Sequence, residues 1–256
     1  DYVTYAHQHN VEVWALVSNL ENPDVDTTQV LTHTSTRENL TNNLISAAIR
    51  YDLDGINVDM EALSTDAGEG YIQFIRELSI KCKKNDLVLS IDNYVPSSYT
   101  AFYNRKEQSC FADYIIIMGY DEHYVGSDAG SVASLPWVEQ GVKDTLSEVA
   151  AQRTILAIPF YTRLWAETTG EDKKVTVTSE VVKMNNQQTV VNNSGASPKW
   201  SDKYGQYYIE YQKDGKTYKM WMEESKSIEQ KLQAAKKAKI AGTSVWKLGM
   251  EDPTVW

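Results

Sequence analysis

Tyr51-Asp-Leu-Asp-Gly-Ile-Asn-Val-Asp-Met-Glu61 is the stretch that decides how the rest of the chain is read. At the period of two that a strand imposes, Asn57, Asp59 and Glu61 project to one side and Ile56, Val58 and Met60 to the other. The Asp-Gly near its start and the helical patterns on either side mark a parallel strand buried on both faces, rather than a half-exposed antiparallel one. Carboxylates in such a place are costly unless they are paired or working. Two of them, two residues apart at a strand's end, are what acid–base chemistry on a sugar or an acyl group needs.

Working outward, Thr36 to Tyr51 carries Leu40, Leu44, Ile45, Ala48 and Ile49 at helical spacing, with Thr36 and Asn39 as candidate caps. Before it, Tyr2 to Asn10 reads as the end of a helix and Val11 to Val17 as a strand. After the acidic strand come a helix over 70–84 (Tyr71, Phe74, Ile75, Leu78) and a strand over 87–91 that ends at Asp92-Asn93. A strand over 114–118 ends at Gly119-Tyr120-Asp121, a helix covers 137–150, and a strand over 154–158 ends at Pro159-Phe160-Tyr161. This alternation is the signature of βα units around a parallel sheet. It breaks over 166–222, read as a small α+β insertion with a strand at Val175, a short helix through Met184 and a hairpin around Lys213-Asp-Gly-Lys216. A helix over 227–240 and a strand over 242–246 close the chain. The fold class is α/β, a (β/α)8 TIM-type barrel over 1–165 and 223–256 with the insertion before the last strand. Six strands are counted where the barrel needs eight, so its first two strands are placed upstream of Asp1, itself within a helical pattern.

Composition limits the partners. The chain has 256 residues, a formal net charge of -10 and no apolar run of transmembrane length. That charge disfavours a nucleic-acid or anionic-membrane surface, so neither is expected as a partner. Cys82 and Cys110 read as free thiols, with no spacing that points to a metal. An open six-strand sheet leaves two edges, from which self-association or borrowed covering elements are expected. In a barrel of this kind chemistry gathers at the carboxyl ends of the strands. Those ends carry Asn19, Asp59 with Glu61, Asp92, Tyr120 with Asp121, Tyr161 with Arg163, and Trp246.

These residues carry a family resemblance. Asp54-Gly-Ile-Asn-Val-Asp-Met-Glu61 resembles the Asp-x-x-Asp-x-Asp-x-Glu signature of glycoside hydrolase family 18, the chitinase-like barrel enzymes. Met118-Gly-Tyr-Asp121 and Pro159-Phe-Tyr-Thr-Arg-Leu-Trp165 resemble its later motifs, and Trp246 stands where its last strand carries a floor tryptophan. Leu16-Val-Ser-Asn19, Tyr120-Asp-Glu-His-Tyr124 and Ser131-Val-Ala-Ser-Leu-Pro-Trp137 are similar to the spore-cortex and germination-associated branch. Asn57 departs from the acid usual in chitinases, as it commonly does in that branch, and removes a charge that could couple to Asp59. The resemblance implies retaining, substrate-assisted cleavage of an N-acetylated glycan, chitin or peptidoglycan, without cofactor or metal. Glu61 is then the proton donor, and Asp59 and Tyr120 steady the substrate's acetamido group. Asn57, Asp121, Trp246, Tyr161, Asn19, Asp92 and Arg163 are its substrate-binding residues. It also implies an extracellular, cell-wall or spore-associated place in a bacterium. The alternatives are a lectin-like member with weak or no catalysis, and a metal-dependent barrel hydrolase with Asp54, Asp59 and Glu61 as oxygen ligands.

Overall fold

Strand and helix alternate where the apolar spacing demands it. The computed structural model describes residues 2–256, so the expectation for Asp1 lies outside the described residues. Two units divide the chain: residues up to 117 with 145–155, and residues 118–144 with 156–256.

The first unit runs through α1 (Tyr2–Gln8), β1 (Trp14–Ser18), α2 (Thr27–Thr32), α3 (Thr34–Arg50), β2 (Gly55–Asp59), α4 (Gly68–Lys84), β3 (Val88–Tyr94), α5 (Arg105–Gln108) and β4 (Tyr114–Met118), whose last residue belongs to the second unit. The strand order is β1-β2-β3-β4. The pairs β1–β2 and β2–β3 are parallel, with Leu16 opposite Asn57 and Asn57 opposite Ser90. Parallel neighbours need a crossover between them, which α3 and α4 supply. Tyr71, Phe74, Ile75, Leu78 and Cys82 of α4 recur at helical spacing and bury against Ile56, Val58, Leu89, Ile91 and Ile115. Gly55 is required where β2 begins: a Cβ there would stand 2.7 Å from the Trp14 ring and 2.9 Å from the Val88 carbonyl.

Three local expectations shift. β1 begins at Trp14 rather than Val11, because the Val13 amide donates to the Asp54 carboxylate at 2.7 Å instead of joining a ladder. In α3 the buried stripe runs through Arg37, Thr41, Ile45 and Ala48, so Ile49, about 100° further round, is 63% exposed. Thr36 lies inside that helix, its hydroxyl donating to the Val30 and His33 carbonyls.

The second unit holds most of α6 (Leu135–Leu146) and of β5 (Thr154–Pro159), then β6 (Tyr161–Thr169), β7 (Val175–Lys183), α7 (Gln187–Ser194), β8 (Lys199–Ser201), β9 (Gln206–Lys213), β10 (Lys216–Met222), α8 (Ser225–Ala238) and β11 (Gly242–Trp246). β11 lies beside β5, and β6 to β10 form a five-stranded sheet in the order β7-β6-β10-β9-β8. β6 pairs antiparallel with β7 and β10, and β9 pairs antiparallel with β10 and β8. Asp214 and Gly215 both have positive φ, 50° and 73°, as the two-residue β9–β10 turn requires. The residues after Pro159 do not end in a loop: Tyr161 opens β6 and pairs with Lys183. α8 starts at Ser225 because Glu224 caps it, accepting from the Lys226 and Ser227 amides at 2.9 and 3.0 Å.

One buried polar cluster ties this unit together. The Glu223 carboxylate accepts from the Lys231 ammonium on both oxygens at 2.9 Å, from Ser227 Oγ at 2.8 Å and from Gln206 Nε2 at 2.6 Å. Gln206 in turn accepts from Ser131, and Gln187 accepts from the Glu223 amide.

Candidate active site

Alternation along β2 sends Ile56 and Val58 into hydrocarbon and leaves Asn57 and Asp59 half-buried on the opposite side, with Glu61 just beyond the strand. The parallel register sets Ser90 against Asn57, and period two places Asp92 and Tyr94 on the same side of β3. Asn57 Nδ2 donates to Ser90 Oγ at 3.0 Å and to Asp92 Oδ1 at 3.1 Å. Asp59 and Asp92 therefore face one another from adjacent strands, and Glu61, in the loop after β2, is near enough for its charge to act on both.

Their electrostatics follow from burial and like charge. Burial first, and then the Glu61 charge, pushes Asp59 up to about 6. Burial also pushes Asp92 up to about 7; the Asn57 amide opposes this, and the charges of Asp59 and Glu61 add to it. Asp59 Oδ1 is buried and has no hydrogen-bonding partner among the described residues, and the same holds for the Tyr71 hydroxyl. Tyr71 is fully buried on α4, and its phenol is held well above the ordinary range by burial, then by Tyr103, Asp92 and Asp59.

The chain around Glu61 is pinned by its main-chain atoms. Asn19, which follows β1, accepts from the Glu61 amide at 2.8 Å and donates to the Glu61 carbonyl at 2.9 Å, so its amide is turned to the backbone. The Tyr94 hydroxyl accepts from the Ala62 amide at 3.1 Å and Tyr103 from the Leu63 amide at 3.2 Å. Ala62 adopts φ 50°, a conformation that non-glycine residues keep only when their surroundings impose it. Ser90, Tyr71, Tyr94 and Tyr103 were not among the expected site residues. The period-two spacing of Ser90, Asp92 and Tyr94 is the signal that could have found two of them. Asp54, by contrast, accepts from His7 Nε2 at 2.8 Å and from the Val13 amide, so it anchors the start of the motif instead of joining the acids. Among the described residues no three His, Cys, Asp or Glu side chains are grouped to hold a metal.

In the second unit three expected residues meet. The Tyr161 hydroxyl donates to Asp121 Oδ1 at 2.7 Å, and the rings of Tyr120 and Tyr161 meet edge to face at 6.1 Å. Burial, then the Asp121 charge, holds the Tyr161 phenol far up, so it stays a donor. Asp121 sits at φ 60°. Arg163 donates to Ser179 Oγ at 3.2 Å, and its buried Nε has no hydrogen-bonding partner among the described residues. Trp246 is 43% exposed, with its carbonyl accepting from the Phe160 amide at 2.8 Å.

Carboxyl groups gathered at the carboxyl ends of parallel strands in a TIM-type α/β fold define a hydrolase of the acid–base kind. Residues 3–251 match the family described as Glycosyl hydrolases family 18, and the chain belongs to that family of glycosidases. It is 28% identical over 267 residues to an uncharacterized glycosylase, YvbX, of Bacillus subtilis, covering 99% of this chain and 76% of that protein. It is 23% identical to the cortical fragment-lytic enzyme of Bacillus subtilis, covering 96% of this chain and 59% of that protein. The fold matches a chitinase of Chromobacterium violaceum with TM-score 0.88 at 24% identity, over 99% of this chain and 80% of that one. It matches the spore cortex-lytic enzyme SleL of Bacillus megaterium with TM-score 0.87 at 19% identity, over 100% and 60%. No helix among the described residues is long and apolar enough to cross a membrane.

Proposed function

We propose that this chain cleaves β-1,4 bonds of an N-acetylglucosamine-containing glycan with retention, using the substrate's own acetamido group. The observation that carries the reading is the placement of Glu61 and Asp59 on one side of the chain, with Asp59 buried beside the Glu61 charge. Glu61 gives its proton to the glycosidic oxygen as the bond to the anomeric carbon breaks. The acetamido oxygen closes on that carbon, and Asp59 accepts the acetamido N–H and balances the positive charge of the ring so formed. Water then adds to the anomeric carbon as the bond from the acetamido oxygen to that carbon breaks, restoring the acetamide, and the water gives up its proton to Glu61. Tyr120, Asp121, Tyr161, Arg163 and Trp246 are proposed as sugar contacts on the strength of the family motifs in which they stand. Likeness to cortical fragment-lytic enzymes favours peptidoglycan over chitin, and with it a cell-wall or spore location.

Asp59 must be ionised to accept the N–H, so turnover falls on the acid side as the pH drops through about 6. The test is turnover of peptidoglycan fragments and chitin oligosaccharides by the wild type and by Glu61→Gln. The variant is expected to lose about 10²-fold or more in kcat. Cleavage by the variant at wild-type speed would sink the assignment, and binding without turnover by the wild type would favour a lectin-like protein.

A further inference from the structure

We propose that Asp92 is a positioning residue that supplies, from the neighbouring strand, the carboxyl that position 57 lacks, holding Asn57 and sharing a proton with Asp59. The inference deepens the glycosidase reading above and rests on it. Three observations lead to it.

The first is geometric. Asn57 stands in β2 where chitinases of the family usually carry an acid, and its amide points to the next strand, donating to Asp92 Oδ1 at 3.1 Å and to the fully buried Ser90 at 3.0 Å. An aspartate at 57 would instead set a carboxylate against Asp92, so the amide and the displaced acid form a complementary pair. The second is the company Asp92 keeps. From β2 and the loop after it the charged groups facing Asp92 are Asp59 and Glu61, and from α4 the titratable group is Tyr71. Tyr94 and Tyr103 lie against Glu61. Beyond Tyr114, the adjacent β4 brings only Ile115, Ile116, Ile117 and Met118. Lys and Arg are absent from these groups, so a proton rather than an ion pair must relieve the crowding of three carboxyls. The third is a matched pair of loose ends. Asp59 Oδ1 and the Tyr71 hydroxyl are both buried and unpartnered among the described residues, and Tyr71 feels both Asp92 and Asp59. Buried polar atoms without a partner are satisfied by a proton or an ordered water close by.

A proton held on Asp92 then has a use. Burial and like charge raise both acids, and a proton on Asp92 relieves the repulsion among the three carboxyls. Asp59 is left as the anion that the acetamido N–H needs. Asp92 never touches the sugar in this account; it acts through Asn57 and Asp59.

The experiment has two arms. In the first, infrared difference spectra follow the protonated-carboxyl C=O band of the full chain through a pH titration. Wild type is expected to lose a band near pH 7 that is missing in Asp92→Asn and kept in Glu61→Gln. A spectrum of Asp92→Asn identical to wild type would overturn the proposal, whether or not the protein turns over any glycan. In the second, kcat and KM are compared for wild type, Asp92→Asn and the swap Asn57→Asp/Asp92→Asn. Asp92→Asn is expected to lower kcat by about 10²-fold with KM little changed, the scale of a misplaced reacting group. The swap returns the acid to β2 and is expected to recover most of the loss. A swap no better than Asp92→Asn alone would reduce Asp92 to packing and overturn the proposal. If wild type cleaves none of the glycans offered, the glycosidase reading fails while the spectroscopic arm still decides where the proton sits.

Discussion

Replacing Lys231 with Met tests how the second unit is held together. Both ends of the ion pair are sealed from water, the Lys231 side chain being 1% exposed and that of Glu223 0%. The variant keeps the Glu223 carboxylate, with Ser227 and Gln206 as donors, and removes the ammonium that bonds both its oxygens. Breaking one side of a buried pair costs about 3–5 kcal/mol, since an uncompensated charge stays behind. For a chain of this size each kcal/mol moves the melting temperature by about 2–4 °C, so a fall of about 10 °C is expected. The pH dependence gives the cause away. Burial raises Glu223 and Lys231 lowers it, so without the lysine the carboxyl takes up a proton at a higher pH. The gap between variant and wild type should therefore narrow as the pH falls toward 4. Glu223→Gln/Lys231→Met removes both charges and keeps an amide for Gln206 and Ser227; it is expected to recover about half of the loss. Scanning calorimetry at several pH values reads all of this. A Lys231→Met protein melting within about 2 °C of wild type, or a double variant no better than the single, would refute the reasoning.

Further outcomes follow from the same structure. Removing the acid pair's burden should stabilise: Asp92, raised from 3.8 to about 7, contributes stability that is full below 3.8 and lost as the pH rises through about 7. Asp92→Asn should accordingly melt higher than wild type at pH 8 and show no such gain at pH 3.5, with an upper bound of about 4 kcal/mol. The His7–Asp54 pair behaves in two directions. The hydrogen bond that His7 donates to the Asp54 carboxylate raises His7 above 6.5, so its contribution is present below 6.5 and fades as the pH rises through the folded value. Burial works to raise Asp54, but the Val13 amide and His7 outweigh it and hold it below 3.8, so its share is lost at lower pH. His7→Ala should cost most at about pH 5 and least at pH 9, as thermal melts would read. Gly70→Ala places a methyl 2.6 Å from the Leu31 carbonyl oxygen, backbone that cannot step aside. It should destabilise by about 1–3 kcal/mol in urea unfolding, against the gain of up to about 1 kcal/mol that alanine brings to an open helix position.

Much of this was legible in the residues because it depends on periodicity. The acidic strand and the helix from Gly68 to Lys84 show spacings of 2 and 3.6, and both lie as those spacings require. The Lys213–Lys216 hairpin was legible because Asp-Gly supplies two left-handed residues. What escaped depends on partners remote in sequence. Ile49 and Ile45 are alike in type, and only the neighbours of α3 decide which is buried. Asn19 carries the same side chain whether it binds a ligand or a backbone, so its hold on Glu61 could not be read. Tyr71 fits an apolar stripe by its ring, and nothing in its spacing shows that its hydroxyl stands beside carboxyls. Tyr161 looks like the end of one strand, yet it begins another because Lys183 and its neighbours pair with it.

The grip of Asn19 on residue 61 has a practical corollary. It takes hold of an amide hydrogen and a carbonyl oxygen, both of which every amino acid except proline possesses. The loop's path is thus independent of which side chain sits there, and Glu61→Gln should keep the native conformation while silencing turnover. Such a protein would serve as a trap, retaining the glycan it can no longer cut and revealing its natural ligand by what stays attached.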